Sequence, residues 1–570
     1  MNFMQEKEAT HNIDKNWWKE GVVYQIYPRS FKDSNGDGVG DLQGIISKLD
    51  YIQSLGVDIV WLNPIFASPN DDNGYDVSDY CAIMPEFGTM EDFDLLLRGL
   101  HAQNIKLVID GVFNHSSDEH YWFKESRSSR TNIYRDYYHW WPAENGVPPH
   151  RFSFFDENNN AWKYDELTNS YYLHYFSVKQ PDLNWENPKL RKEMYKIMSF
   201  WLDKGVDGFR LDVISFISKD ISFPDIPKTY NNNFPRYYAN GPYLHQYLHE
   251  MHEEVFSKYD CMTVGECVAV DVDDALQFVD AERKELNMFF HFDAVDYGYK
   301  KNEFKQPHPE GWDLIGFKEI FTKWSDVFAH KGWGSIYLGN HDQPRMVGRW
   351  GDDSPAYRGA AAKMLLTFLL TMRSTPYIYM GDEIGMANIR FNAIEDYRDI
   401  DTLTKYDQIK NSGGDVNYFM EGQKSTARDN ARTPFQWNEK AQAGFTSGEP
   451  WIKVNPDAPF VNVAMQETDE DSVLKYFRKM VKLRRQLPEL VYGEYELIDK
   501  ENDKVYAYTR TLNDKKVLVV FNFSKTSTTF TIPKNIGMPG EILINNLKEI
   551  TVRESVAKLQ PYQAVVMKLQ

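Results

Sequence analysis

The stretch GVDGFRLDVIS, Gly205 to Ser215, sets an arginine and an aspartate into an otherwise apolar run. Read as a strand, it sends successive side chains to opposite faces, so Gly208, Arg210 and Asp212 share one face while Phe209, Leu211 and Val213 share the other. The two charges look the same way. Alone, Arg-x-Asp reads as an ion pair plugging a strand end, because buried charges usually come paired. The rest of the chain decides whether it does more.

Seven other short β-branched runs resemble this one: VVYQIYP from Val22, VDIVWLNP from Val57, IKLVIDGVFNH from Ile105, MTVGEC from Met262, LNMFFHF from Leu286, WGSIYLGNHD from Trp333 and TPYIYMGDE from Thr375. Amphipathic stretches separate them, the pattern of repeated βα units around a parallel sheet. The expected fold is an α/β (β/α)8 TIM barrel, in which polar residues at strand ends mark the face that carries active sites. Between the third and fourth strands lies a long stretch rich in Tyr, Trp, Asn and Pro, expected to form an inserted lid over residues 116–183. The barrel is expected to occupy 1–115 and 184–492, with a second insertion at about 388–430 overhanging the same face. From about Gly493 the runs KVYAYTR, KKVLVVFNF and TTFTIP predict a C-terminal antiparallel β domain over 493–570.

Composition narrows the function. The 64 Lys and Arg stand against 83 Asp and Glu, a net charge of −19, which argues against nucleic acid or an anionic membrane as partner. A 15% aromatic content suits stacking on sugar faces, though large cores also use aromatics. Cys81, Cys261 and Cys267 are too few and too irregularly spaced for a disulfide framework or zinc site, and a reducing cytosol suits them. The opening MNFMQEKEATHNIDKNWW lacks the basic start and apolar run of a signal peptide, and no long apolar stretch follows. A cytoplasmic location is expected.

Three predicted strands end in carboxylates: Asp212 after the fourth, Glu266 after the fifth and Asp342 after the seventh. With Arg210, His115 and His341 they form a mouth where acids crowd and their protonation is pushed apart. That suits glycoside hydrolysis, which needs one protonated and one ionised carboxyl. A cation beside Asp212 is expected to keep it ionised, and the apolar neighbours of Glu266 in VGECV to favour its protonated form.

DGVFNH, GFRLD, GE (Gly265, Glu266) and GNHD resemble, in order, the four conserved regions of the α-amylase superfamily, glycoside hydrolase family 13. QPDLN (Gln180 to Asn184) resembles the further motif that marks its oligo-1,6-glucosidase branch. WWKEGVVYQIYPRSF, SPNDDNGYDVSDY, ARDNARTPFQW and GFTSGEPWIKVNP extend the likeness over essentially the whole chain. The resemblance implies a retaining, exo-acting α-glucosidase: Asp212 as nucleophile, Glu266 as acid/base and Asp342 as transition-state stabiliser. It places Arg210, His115 and His341 around the terminal glucose, and Asp72, Tyr75 and Arg428 at the closed end of the pocket. Phe176 reads either as an aromatic wall of that pocket or as core. The implied partner is a small α-glucoside, with the chain a monomer or weak homo-oligomer and no catalytic cofactor.

In DSNGDGVGD, oxygen ligands alternate: Asp33, Asn35, Asp37, the Val39 carbonyl and Asp41. The twelfth position is Gly44 where an EF-hand has Glu, so the spacing reads equally as a solvated turn. The resemblance implies a structural Ca²⁺ or Mg²⁺ there. In the family, valine at position 213 goes with α-1,6 preference and threonine or alanine with α-1,4; the alternative is a plain strand valine. CVAV after Glu266, GRWGDDSPAYR and YGYKKNEFKQPHPEGW depart from close relatives, and GDD resembles sucrose isomerases. Their arginine-rich RLDRD motif is absent, DAVDYGY standing in its place, so hydrolysis is expected over isomerisation. Maltose or sucrose hydrolysis and transglucosylation are the alternatives. Non-enzymatic members of the superfamily carry a membrane anchor or lack the carboxylates, whereas this chain has all three acids.

Overall fold

The computed structural model describes residues 16–156, 158–228 and 234–570; the extreme N-terminal residues read above for export lie outside them. All eight apolar runs form strands: β1 Val23–Ile26, β2 Ile59–Leu62, β3 Lys106–Gly111, β4 Gly208–Leu211, β5 Met262–Glu266, β6 Met288–Phe290, β7 Ser335–Ile336 and β8 Thr375–Tyr379. They pair in parallel in the order β6-β5-β4-β3-β2-β1-β8-β7. Strands buried on both faces read as continuous apolar runs, which is why no alternation shows in β1 or β2. Side chains bridge the remaining seam between β6 and β7: Ser335 Oγ donates to the Phe289 carbonyl at 2.7 Å and Tyr337 OH to that of His291 at 2.7 Å.

A 16-residue helix, α1 (Pro188–Asp203), delivers the chain to β4. Pro188 sits in its first turn, where a missing N–H costs nothing, and the Asn187 side chain caps it by accepting from Lys189 N. It buries Leu190, Met194, Met198 and Trp201, spaced at helical period, and Trp201 Nε1 donates to the Tyr80 carbonyl at 2.8 Å. Gly208 then opens β4 where a Cβ would stand 2.0 Å from the Met262 carbonyl oxygen. Only glycine admits that approach, and it brings Arg210 beside the strand that ends in Glu266.

The stretch between β3 and β4 carries a three-stranded antiparallel sheet of Trp140–Pro142, Ser170–Leu173 and Trp162–Asp165, the middle strand being the second named. After β8, the helices Ile400–Asn411 and Val416–Thr426 occupy the second insertion. Beyond Gly493 a five-stranded and a three-stranded antiparallel sheet enclose their own core of Ile498, Val505, Leu518, Phe530 and Val565. No helix among the described residues is long and apolar enough to cross a membrane.

Candidate active site

The carboxylates and cations named from the sequence meet at the carboxyl ends of the barrel strands. Arg210 is the hub. Its Nη1 donates to Asp212 Oδ1 at 2.6 Å and to Asp110 Oδ1 at 2.7 Å, while Nη2 donates to Glu266 Oε2 at 2.6 Å. The guanidinium lies over the Trp61 ring at 5.4 Å, a buried cation on an aromatic face. One positive charge therefore serves three acids.

That sharing corrects two expectations. Burial pushes the Asp212 carboxyl well above its usual range; Arg210 opposes the shift, and the Glu266 and Asp110 carboxylates reinforce it. Arg210 opposes that shift without cancelling it, because its charge is divided. Nor is the setting of Glu266 apolar: Oε2 accepts from both Arg210 and the Val213 N–H, the latter at 3.1 Å. Val213 is not a strand residue either. It has φ +33° and ψ 42°, the left-handed region, and opens the short turn Ile214–Phe216 directly after β4.

His341 and Tyr75 line the wall opposite. Gln25 Nε2 and Asn63 Nδ2 face His341 Nδ1 at 2.8 and 3.2 Å, so two side-chain amides hold that edge of the ring. Nε2 lies 2.6 Å from Tyr75 OH and 3.0 Å from Asp342 Oδ2, with the Tyr75 and His341 rings stacked at 5.5 Å. Asp342 Oδ1 accepts from Arg432 Nη2 at 2.7 Å and Arg428 Nη1 at 3.2 Å. Burial works to raise the Asp342 carboxyl, but His341, Arg428 and Arg432 together hold it well below the usual carboxylate range.

At the far end Arg428 Nε donates to the buried Asp399 at 2.8 Å, and its Nη2 stands 3.6 Å from Asp72 Oδ1. Gln180 Nε2 donates to Asp72 Oδ2 at 3.1 Å and lies 3.3 Å from His115 Nε2. Burial lifts Asp72 to about 7 despite Arg428, and burial lowers His115 to about 4, so its imidazole is neutral near pH 7. Phe176 is half-buried, stacks on Phe154 at 4.8 Å and stands 5.1 Å from the His115 ring. The lid is pinned by a buried cation: Lys219 Nζ is 3.0 Å from Asp182 and donates to Asn114 Oδ1 at 2.8 Å.

The sequence reading passed over Asp110, Gln25, Asn63, Gln180, Asp399 and Arg432 as site residues. Asp110, inside DGVFNH, accepts from Arg210, Trp61 and Asn63; an acid within an otherwise apolar strand run was the available signal, though not of its partners. Two stretches flagged as unusual pack on one another: Arg349 Nη1 donates to Gln343, its Nη2 to the Tyr297 carbonyl at 3.2 Å, and its guanidinium lies 4.2 Å from the Tyr299 ring.

In the loop read as a metal site, Asp33 Oδ1 accepts from Asn35 N and Gly36 N, and Oδ2 from Gly38 N and Thr446 Oγ1. Asp41 Oδ2 accepts from Ser34 N and Oγ at 2.9 Å each, and Oδ1 caps the helix Leu42–Ile46 through Gly44 N. Asp37 Oδ1 accepts from Val39 N, and Asn35 Nδ2 donates to Asp37 Oδ2. Among the described residues no cluster of three or more His, Cys, Asp or Glu stands as it would around a metal.

Residues 25–493 match the alpha amylase catalytic domain, and 505–566 the alpha-amylase SusG C-terminal domain. The chain belongs to the alpha-amylase family of glycoside hydrolases. An oligo-1,6-glucosidase of Parageobacillus thermoglucosidasius is 51% identical over 98% of this chain and 100% of its own length. One from Bacillus cereus is 49% identical over the same shares. A solved isomaltulose synthase from Klebsiella sp. LX3 superposes with a TM-score of 0.95 at 45% identity, covering 98% of this chain and 100% of its own.

Proposed function

We propose that this family member is a retaining, exo-acting α-glucosidase that releases glucose from the non-reducing end of short α-glucosides, α-1,6 linkages favoured. One observation carries the reading: a single guanidinium reaches Asp212 and Glu266 at 2.6 Å each. Two carboxyls bridged in this way are drawn together, which supports a covalent double displacement, with its carboxyls about 5–5.5 Å apart, over the wider spacing that seats a water between them. Asp212 attacks the anomeric carbon while Glu266 protonates the leaving oxygen; Glu266 then activates water against the glucosyl-enzyme. Asp342, kept ionised by its cations, holds hydroxyls and the positive charge that develops in the transition state.

Asp72, Tyr75 and Arg428 would close the pocket beyond a terminal glucose held among Arg210, His115 and His341, which supports exo action. The α-1,6 preference is supported by the oligo-1,6-glucosidase relatives and by valine at 213. The isomaltulose synthase superposition favours a second reading, sucrose isomerisation. Initial rates and products on isomaltose, maltose and sucrose decide between them: β-first glucose by NMR would exclude retention, and isomaltulose from sucrose would replace the hydrolase reading. Activity confined to maltose would overturn the α-1,6 preference alone.

The oxygen-only donor set of Asp33, Asn35, Asp37, Asp41 and the Val39 carbonyl suits a hard cation such as Ca²⁺ or Mg²⁺, which would brace the loop after β1. Both Asp33 oxygens already accept loop donors, so a chelator is expected to lower the thermal midpoint modestly; no change would leave the loop a self-bonded turn. Three unpaired cysteines, Cys81 exposed, suit a cytoplasmic enzyme, and the expected state is a monomer or weak homo-oligomer.

A further inference from the structure

Val213 is the only β-branched residue with positive φ among the described residues. Cβ branching makes the left-handed region particularly unfavourable, so the surroundings must impose it. What the conformation achieves is visible in the hydrogen bonds. Asp212 N donates back to the Gly111 carbonyl of β3 at 3.0 Å, the last rung of that ladder. The next N–H, of Val213, turns to the other side and donates to Glu266 Oε2 at 3.1 Å. Its side chain is buried in an aromatic cluster with Phe216, Phe152 and Trp162. Backbone and side chain of Val213 therefore have separate surroundings.

The two oxygens of Glu266 are not equivalent. Oε2 accepts from Val213 N and Arg210 Nη2, whereas Oε1 has no hydrogen-bond or ion-pair partner among the described residues. An oxygen facing two donors is a poor seat for a proton. We propose that the Val213 N–H, with Arg210, selects the working oxygen of Glu266, holding Oε2 as an acceptor so that Oε1 carries the proton. This rests on Glu266 being the acid/base. Oε1 gives its proton to the glycosidic oxygen as the bond from that oxygen to the anomeric carbon breaks and Asp212 bonds to the same carbon. In the second half, water bonds to that carbon, Asp212 departs as carboxylate, and the proton released by water returns to Oε1. Val213 is in this account a positioning residue that acts through its main chain.

The direct test replaces Val213 by its α-hydroxy analogue, which keeps the side chain and exchanges the N–H for an ester oxygen. The readout is the ratio of kcat/KM on isomaltose, whose leaving sugar needs a proton, to that on 4-nitrophenyl α-glucoside, whose phenolate needs it less. The ester should lower the ratio about tenfold and move the basic limb of the pH–kcat/KM profile upward. Val213→Gly keeps the N–H and suits positive φ, so whatever its missing side chain does to linkage preference, it should leave the basic limb where it stands in the parent. A basic limb unmoved in the ester, or moved equally in Val213→Gly, would overturn the proposal by placing the effect in neither group or in the side chain. Glu266→Gln, run beside them, should lower the ratio further; if it does not, the acid/base assignment itself fails.

Discussion

At the floor of the pocket one guanidinium, Arg210, serves Asp110, Asp212 and Glu266, whereas at the far end two, Arg428 and Arg432, serve Asp72, Asp342 and Asp399. The residue types are the same and the proportions differ. With one cation shared among three acids, two of them buried, burial prevails and the Asp212 carboxyl rises. With two cations and His341 close by, attraction prevails against burial at Asp342, and Arg428 and Arg432 likewise hold Asp399 far below the usual range. Burial thus prevails at Asp212, and attraction at Asp342 and Asp399, while Asp72, 3.6 Å from Arg428, sides with the floor. The number of cations and their distance, more than the identity of any one acid, separate the two outcomes.

The sharpest way to break this comparison is Asp212→Asn. It removes the nucleophile, and kcat should fall by about 10⁴-fold or more. A raised carboxyl favours the protonated form in the folded state, so at neutral pH its ionisation costs stability that the amide does not incur. The thermal midpoint at pH 7 should therefore hold or rise. A midpoint several degrees lower, measured by calorimetry, would mean that Asp212 serves chiefly to anchor Arg210, the bland reading of Arg-x-Asp.

Arg428→Met tests the other end. Asp399 is 1% exposed in its side chain and would lose its closest cation, a loss worth about 3–5 kcal/mol for a buried pair. Asp342 would keep only Arg432 and His341. Denaturant unfolding at neutral pH should show the loss, and the loss should shrink on acidification as Asp342 and Asp399 become easier to protonate. A loss of the same size at every pH would uncouple both acids from Arg428.

The barrel was legible because parallel strands buried on both faces leave β-branched runs, and their polar ends mark the working face. Arg210 and Asp212 were legible as a pair because strand alternation is local. What lay beyond reach was whatever depends on neighbours far along the chain. Asp110 meets Arg210 through the β3–β4 register, and Gln25 meets His341 across 316 residues. Asp399 and Arg432 sit in ordinary polar surroundings in sequence and become site residues only when the second insertion folds over the mouth. The error about Val213 had another origin: alternation was carried one residue too far, past the point where the strand ends and the backbone turns left-handed.

Asp72 gives the smallest and most discriminating effect, because it shares Arg428 with Asp342 and titrates in the opposite sense. Its carboxyl is lifted to about 7, above the ordinary value of about 4 in an unfolded chain. Between those values the folded protein binds the extra proton, so Asp72 supports stability at low pH and withdraws that support as pH rises through about 7. Asp342, held low, contributes in the reverse direction, its share present at neutral pH and lost on acidification. Asp72→Asn should therefore melt higher than the parent at pH 8 and lose that advantage by about pH 4. Scans across that range read the difference directly. A gain that is the same at every pH would mean the amide improves packing and that Asp72 does not titrate in the window, while a gain that grows on acidification would place Asp72 with Asp342 among the fixed anions and erase the contrast between the two acids on one arginine.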